Sequence, residues 1–332
     1  MKILFAPFSL IFAGLSFLRW KFFRIGILKS GKAPAPVVSV GNIALGGTGK
    51  TPCVIWLAKE LKDRDYDPAI LTRGYKKKIK GRMIIDSDSS EAALAGDEPA
   101  MMAMALGTIP IAADADRLGS AKILGGNDKR IFILDDGFQH LRLKRDFDLV
   151  LLRGDDPFGG GHFTPWGTLR DGLWRIPEAD AIVIVGNIEK FDKEKIIPTN
   201  KPIFFAEKKA SNIRTLTGKR LPLDVLKGVK VVAFTGIAHP ENFGETSKSL
   251  GAELAEIVPF ADHHQFKPSD IKGVERIAER HRADILITTE KDAVRLAGIE
   301  PRLTTYVVSI ELEFDKPEEL IGLILKKIGY ER

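Results

Sequence analysis

Residues 37–51 constrain the fold more than any other stretch. A short β-branched run, Val37-Val38-Ser39-Val40, leads into Gly41-Asn42-Ile43-Ala44-Leu45-Gly46-Gly47-Thr48-Gly49-Lys50-Thr51, and a segment with apolar positions at Val54, Leu57, Ala58 and Leu61 follows. Strand, glycine-rich loop and amphipathic helix in that order make a phosphate-binding loop. The glycines let backbone N–H groups converge on an anion, the helix N-terminus adds partial positive charge, and the lysine reaches the outer phosphates. The pattern predicts that Gly46, Gly47, Thr48, Gly49, Lys50 and Thr51 hold nucleotide phosphates, with the Thr51 hydroxyl on Mg²⁺. Ala44 stands where the G-x-x-x-x-G-K-[ST] pattern has its first glycine. Its methyl group is tolerable if that residue keeps a negative φ.

A phosphate loop needs a second, acidic element at the end of a buried strand. Ile131-Phe132-Ile133-Leu134-Asp135-Asp136 supplies two carboxylates that can hold Mg²⁺ directly or through water. From about residue 36 short β-branched runs alternate with amphipathic ones, the mark of a parallel sheet covered by helices. Strands are predicted at 37–40, 69–71, 131–134, 149–152 and 181–185, with a helix at 54–61. A second series has strands at 231–234, 285–287 and 306–310 and a helix at 271–281. The expected fold class is α/β and P-loop NTPase-like, with two α/β/α sandwich domains of mainly parallel strands and an N-terminal membrane-associated helix. The expected division is 1–30 for that helix, 31–205 for the nucleotide-binding domain, 206–221 for a linker and 222–332 for a smaller domain. A length of 332 residues suits two cores.

The single cysteine, Cys53, excludes an internal disulfide and a thiolate-cluster metal site, and fits a reducing compartment. The net charge of +6 is unevenly spread: no Asp or Glu precedes Glu60, whereas Lys2, Arg19, Lys21, Arg24, Lys29 and Lys32 all do. Residues 3–18 are almost wholly apolar and run straight into Arg19, Trp20, Lys21, Phe22, Phe23 and Arg24. A nucleic-acid arm would mix its basic residues with polar ones, so the asymmetry points to an anionic membrane surface and away from nucleic acid. The run is shorter than the ~20 residues that span a bilayer, which allows it to lie in the interface instead.

Three further clusters carry chemistry. Gly96-Asp97-Glu98-Pro99 opens a helix, so Asp97 is either a helix cap or a working carboxylate. Asp262-His263-His264 is open to three readings, a metal pair, a base assembly or a structural cap, although adjacent side chains diverge so that at most one of the two histidines faces a common site, and the scattered remaining histidines form no zinc-ligand spacing. The basic run Arg73-Gly74-Tyr75-Lys76-Lys77-Lys78-Ile79-Lys80-Gly81-Arg82 follows a strand at the sheet edge, where an anionic head group can be held.

The run Ser39-Val40-Gly41-Asn42 through Gly46-Gly47-Thr48-Gly49-Lys50-Thr51-Pro52, with Asp97-Glu98-Pro99 and Asp135-Asp136-Gly137-Phe138-Gln139-His140, resembles the tetraacyldisaccharide 4′-kinase family of lipid A biosynthesis. Leu71-Thr72-Arg73-Gly74-Tyr75, Arg117, residues 165–171, Ala261-Asp262-His263 and Thr288-Thr289-Glu290-Lys291-Asp292 extend the similarity over nearly the whole chain. The resemblance implies transfer of the ATP γ-phosphate to the 4′-hydroxyl of an anionic, acylated disaccharide 1-phosphate at the cytoplasmic face of a bacterial inner membrane. It implies Asp97 as general base, His263 as its assistant from the other domain on closure, Lys50 as a catalytic cation, Glu98, Asp135 and Asp136 as Mg²⁺ ligands, and Arg117 and Arg170 facing phosphate charge. It also draws Lys291 toward the site. Two departures from the family pattern are Asp171, where Glu is usual after the arginine, and Lys76, where Gly commonly follows the tyrosine. A ParA/MinD-like membrane ATPase is the rival reading, but the signature lysine of such loops is Leu45 here. A GTPase metallochaperone would need a guanine-specificity motif that the sequence lacks.

Overall fold

A computed structural model of the chain describes residues 5–75, 77, 79, 81–87, 92–186, 199–296 and 298–330. Residues 1–4, including Ile3 and Leu4 of the apolar run, and Lys76, Lys78 and Lys80 of the basic run thus lie outside the described residues. The chain divides into two compact units, residues 1–208 with 312–332, and residues 209–311. These bounds differ from the expected ones. The stretch expected to link the domains is largely strand β8, Ile203–Thr215, and the C-terminal segment returns to unit 1. An alternating 13-residue strand was hard to see there because Glu207, Lys208 and Lys209 interrupt its apolar pattern.

In unit 1 the sheet runs β8-β7-β6-β1-β5-β2-β4-β3. Its strands are β1 Val37–Asn42, β2 Asp67–Thr72, β3 Met83–Ile85, β4 Ile111–Ala113, β5 Arg130–Asp135, β6 Phe147–Arg153, β7 Ala181–Val185 and the first part of β8. Pairing from β4 through β8 is parallel, and β3 adds an antiparallel edge. Successive residues of the central strands go to opposite faces. Val38, Val40, Ile131, Ile133, Leu149 and Leu151 join one core with α2 (Lys50–Asp63), α3 (Asp97–Leu106) and α8 (Pro317–Ile328). Val37, Phe132 and Leu134 join another beneath α4 (Arg117–Leu124). Burial on both faces explains why these strands read as unbroken β-branched and apolar runs.

Unit 2 repeats the plan on a smaller scale. Its parallel strands lie in the order β11 (Glu253–Pro259), β10 (Lys230–Thr235), β12 (Ile285–Thr289), β13 (Thr304–Phe314). Val232, Phe234 and Leu286 pack under α6 (Pro268–His281), while Val231, Ala233 and Ile287 pack with Phe243 of α5 (Pro240–Ser249). A short helix α7, Glu290–Arg295, follows β12 directly.

The N-terminal helix α1, Ala6–Arg24, makes both apolar and polar inward contacts. Phe12 packs on Phe163 and Phe17 on Trp174, while Ser9 Oγ donates to the Phe163 carbonyl (2.8 Å), Ser16 Oγ to Asp171 (3.1 Å) and Trp20 Nε1 to Glu178 (2.7 Å). Phe8, Leu10, Ile11 and Leu15 point outward with 61–73% of their surface exposed. No described helix is long and apolar enough to cross a membrane.

Candidate functional site

The site in unit 1 is built at the C-terminal ends of β1 and β5, which pair in parallel with Val40 opposite Asp135. That register sets the glycine-rich loop beside the acidic strand end. Gly49 is the N-cap of α2 with φ of +85°, a conformation that favours glycine, and it turns the chain so that Lys50 begins the helix. A Cβ on Gly41 would lie 2.5 Å from the Phe138 side chain, so only glycine lets β1 run this close to the segment after the acidic pair. Ala44 is not among the positive-φ residues, so its methyl group is accommodated as the sequence required. Asn42, fully buried, braces the loop: its Nδ2 donates to the Ala44 carbonyl (2.5 Å) and to Thr48 Oγ1 (3.0 Å). Lys208 Nζ donates to the Gly47 carbonyl from β8 (3.0 Å).

The two adjacent aspartates are set in opposite surroundings. Asp136, with φ of +49°, turns its carboxylate to Arg170 (2.6 and 2.9 Å) and Lys50 (3.5 Å). Burial works against its charge, but the Arg170 hydrogen bonds and the Lys50 charge prevail and hold its pKa far below the usual carboxylate range. Asp135 is buried and accepts a hydrogen bond from Thr72 Oγ1 (2.8 Å). Burial first, then the negative charges of Glu98 and Asp136, push its pKa up to about 7. A buried carboxylate crowded by like charges is where a divalent cation gains most. Among the described residues no group of three or more Asp, Glu, His or Cys side chains is already arranged around a metal. Mg²⁺ fits this poverty, since it commonly keeps several waters and takes one or two carboxylates plus substrate phosphates.

Arg170, for which a place facing phosphate is expected, donates to Asp136 and the Asn42 side-chain oxygen, and among the described residues its buried Nε has no partner. Arg117 is buried and donates to His140 Nδ1 (3.2 Å). Burial, then the Arg117 charge, holds the His140 pKa at about 4, so the ring stays neutral and can accept that bond. Asp97 is the first residue of α3, after the N-cap Gly96, with Glu98 beside it in the first turn. Asp171 is structural: buried, it pairs with Arg175 (2.7 Å) and receives Ser16 of α1.

The structure thus brings Lys50, Thr48, Asp135, Asp136 and Arg170 together in unit 1, with Arg117 and Glu98 close enough to act electrostatically on Asp135 or its neighbours. His263, His264 and Lys291 belong to unit 2. There the two histidines separate. His264 Nε2 is engaged with Asp270 (2.9 Å), whose carboxylate also accepts from the Lys267 N–H to cap α6, so His264 is part of a helix start. His263 sits in the left-handed region, φ +64°, and its Nδ1 lies 3.0 Å from Arg295. Lys291 Nζ is 3.8 Å from Asp262. Asn42, Lys208 and Arg295, whose side chains contact the loop or His263, are not among the residues expected from the sequence. Asn42 alone carried a local signal, since it adjoins the glycine that ends the strand.

A sequence profile described as Tetraacyldisaccharide-1-P 4'-kinase (LpxK) matches residues 1–329. The tetraacyldisaccharide 4'-kinase of Syntrophus aciditrophicus is 36% identical over 98% of this chain and 92% of its own length. That of Actinobacillus pleuropneumoniae serotype 5b is 36% identical over 98% and 96%. The crystal structure of LpxK from Aquifex aeolicus in complex with ATP superposes with a TM-score of 0.82 at 32% identity, covering 98% of this chain and 99% of that one.

Proposed function

Because the chain belongs to the tetraacyldisaccharide-1-P 4'-kinase family, we propose that its P-loop NTPase-like unit 1 holds Mg²⁺-ATP through residues 46–51 and Asp135. The protein is a lipid A biosynthesis kinase that moves the γ-phosphate of ATP to the 4'-hydroxyl of a tetraacyldisaccharide 1-phosphate. The family excludes the positioning-ATPase reading. The observation that supports the residue assignment best is the pairing of Lys50 and Asp136 beside an uncompensated Asp135 at the mouth of the glycine loop.

In this reading the loop amides and Lys50 hold the β- and γ-phosphates, and Thr51 and Asp135, with Glu98 and Asp136 nearby, would hold Mg²⁺. When bound, the cation would supply positive charge that offsets the charge developing on the transferred phosphate. Asp97 takes the proton of the attacking hydroxyl as its oxygen bonds to the γ-phosphorus and the bond to the β-phosphate oxygen breaks, releasing ADP. His263 assists that base. Arg170 sets Asp136 and the loop brace Asn42, and so acts on phosphate through them, while Arg117 supplies positive potential behind Asp135. The exposed apolar face of α1, with Lys21 and Arg24 in its last turn, lies in the cytoplasmic leaflet of the inner membrane and brings the enzyme to its lipid.

Purified protein with Mg²⁺-ATP and a tetraacyldisaccharide 1-phosphate is expected to yield a lipid carrying a second phosphate, read by mass spectrometry. Folded protein that binds ATP and makes no such product would remove the assignment. Leu10→Glu with Leu15→Glu should abolish co-sedimentation with anionic vesicles and leave ATP binding intact. Unchanged co-sedimentation would remove the membrane role of α1.

A further inference from the structure

Unit 2 contains a polar knot that the transfer chemistry above does not use. Asp292, fully buried in α7, accepts from Thr235 Oγ1 (2.6 Å), Thr289 Oγ1 (2.7 Å), the Gly236 N–H (3.1 Å) and Arg295 (3.0 Å). These partners come from the ends of β10 and β12 and from the last turn of α7, so the carboxylate ties three elements together. The Arg295 side chain is itself fully buried, and its guanidinium also donates to the Gly236 carbonyl (2.9 Å). The backbone N–H of His263 donates to that same carbonyl (3.1 Å). Both the main chain and the ring of His263 are therefore referred to one fixed frame, which holds the residue at a φ that few non-glycine residues adopt.

The ring contact has a chemical consequence. Arg295 reaches His263 Nδ1 at 3.0 Å. A guanidinium has donors only and stays protonated, so Nδ1 must accept. The proton of the neutral ring then sits on Nε2, which faces Asp262 at 3.9 Å. We propose that Arg295 is a positioning residue that locks His263 in the Nε2–H tautomer, making it a hydrogen-bond donor that orients a carboxylate and barring it from taking up the reaction's proton. This rests on the assignment of His263 to the catalytic machinery as an assistant to the base, and it specifies how that assistance is given: the knot selects donor over proton acceptor.

The test has two independent arms. Histidine ¹⁵N spectra of the wild-type protein, with His263 assigned by its loss in His263→Ala, should show Nδ1 unprotonated and Nε2 protonated in the neutral ring. A proton on Nδ1 overturns the proposal, whatever the variants do. In the second arm, Arg295→Lys keeps a cation beside Asp292 but is too short to serve both it and His263. It should fold, keep its KM for ATP and lose about tenfold or more in kcat, as a working imidazole does when its tautomer is freed. In the His263→Ala background the same substitution should cost no more than about twofold, because a residue acting through His263 has nothing left to act on. Full additivity of the two losses overturns the proposal and leaves His263 catalytic. Near-normal kcat in His263→Ala alone removes the catalytic assignment of His263, and the proposal with it.

Discussion

Asp135 and Asp292 are both buried aspartates at the ends of parallel strands, one after β5 in unit 1 and one just beyond β12 in unit 2, and their surroundings are opposite. Asp292 is saturated by two threonine hydroxyls, a backbone N–H and a guanidinium. Asp135 has one threonine hydroxyl and two neighbouring carboxylates. Among the described residues no ion pair joins Asp135 to a cation, although the Lys50 charge acts to lower its pKa. The difference separates a strut from a socket. A buried charge with all its partners holds elements in place, whereas one short of a cation carries a standing electrostatic cost that a bound divalent ion relieves.

The contrast breaks most sharply under substitution. Asp292→Asn leaves Arg295 buried with a weakened partner, and chemical denaturation should show a loss of about 3–5 kcal/mol. Asp135→Asn should do the reverse: stability at pH 7 unchanged or raised, and kcat/KM down by about 10²–10³, measured on the lipid substrate. Equal stability losses in both would erase the distinction.

A smaller effect is tied to protonation. The folded-state pKa of Asp135 lies above its ordinary value of 3.8, at about 7, so the proton is bound more tightly in the folded protein. Its contribution therefore favours folding at low pH and is lost as pH rises between those values. A cation must displace that proton, so Mg²⁺ affinity of the ATP-loaded protein should fall by up to about tenfold per pH unit below 7, and less steeply in Asp135→Asn. Calorimetric titration at several pH values checks this. The smallest expected effect is that of Thr72→Val, which removes the hydrogen bond that Asp135 accepts from Thr72 Oγ1. Loss of a donor to a charged group should raise the Asp135 pKa further and weaken Mg²⁺ binding by about tenfold.

Much of unit 1 was legible because its signals are local. The run from Val37 to Thr51 names a strand, a loop and a helix in order, and burial on both faces makes β5 and β6 read as continuous apolar stretches. The edges were less legible. The three-residue strands β3 and β4 are too short to show a period, and β8 carries charges in mid-strand where it passes from one unit to the other. The roles of Asp135 and Asp136 could not be told apart from the dipeptide, because the distinction comes from Arg170, far along the chain, which pairs with one and leaves the other. Arg295 was invisible for the same reason. Nothing in Ala293-Val294-Arg295 announces a partner in His263, and only the fold of unit 2 joins them. His264 was indistinguishable from His263 until Asp270 was seen to claim it.

The proposed role of Asp135 is to be the socket for the cation. Electron paramagnetic resonance with Mn²⁺ in place of Mg²⁺, on ATP-loaded wild type, Asp135→Asn and Asp292→Asn, measures this directly. The account predicts that the bound-Mn²⁺ signal weakens by about tenfold or more in affinity for Asp135→Asn and is kept in the folded fraction of Asp292→Asn. Undiminished Mn²⁺ affinity in Asp135→Asn would contradict it.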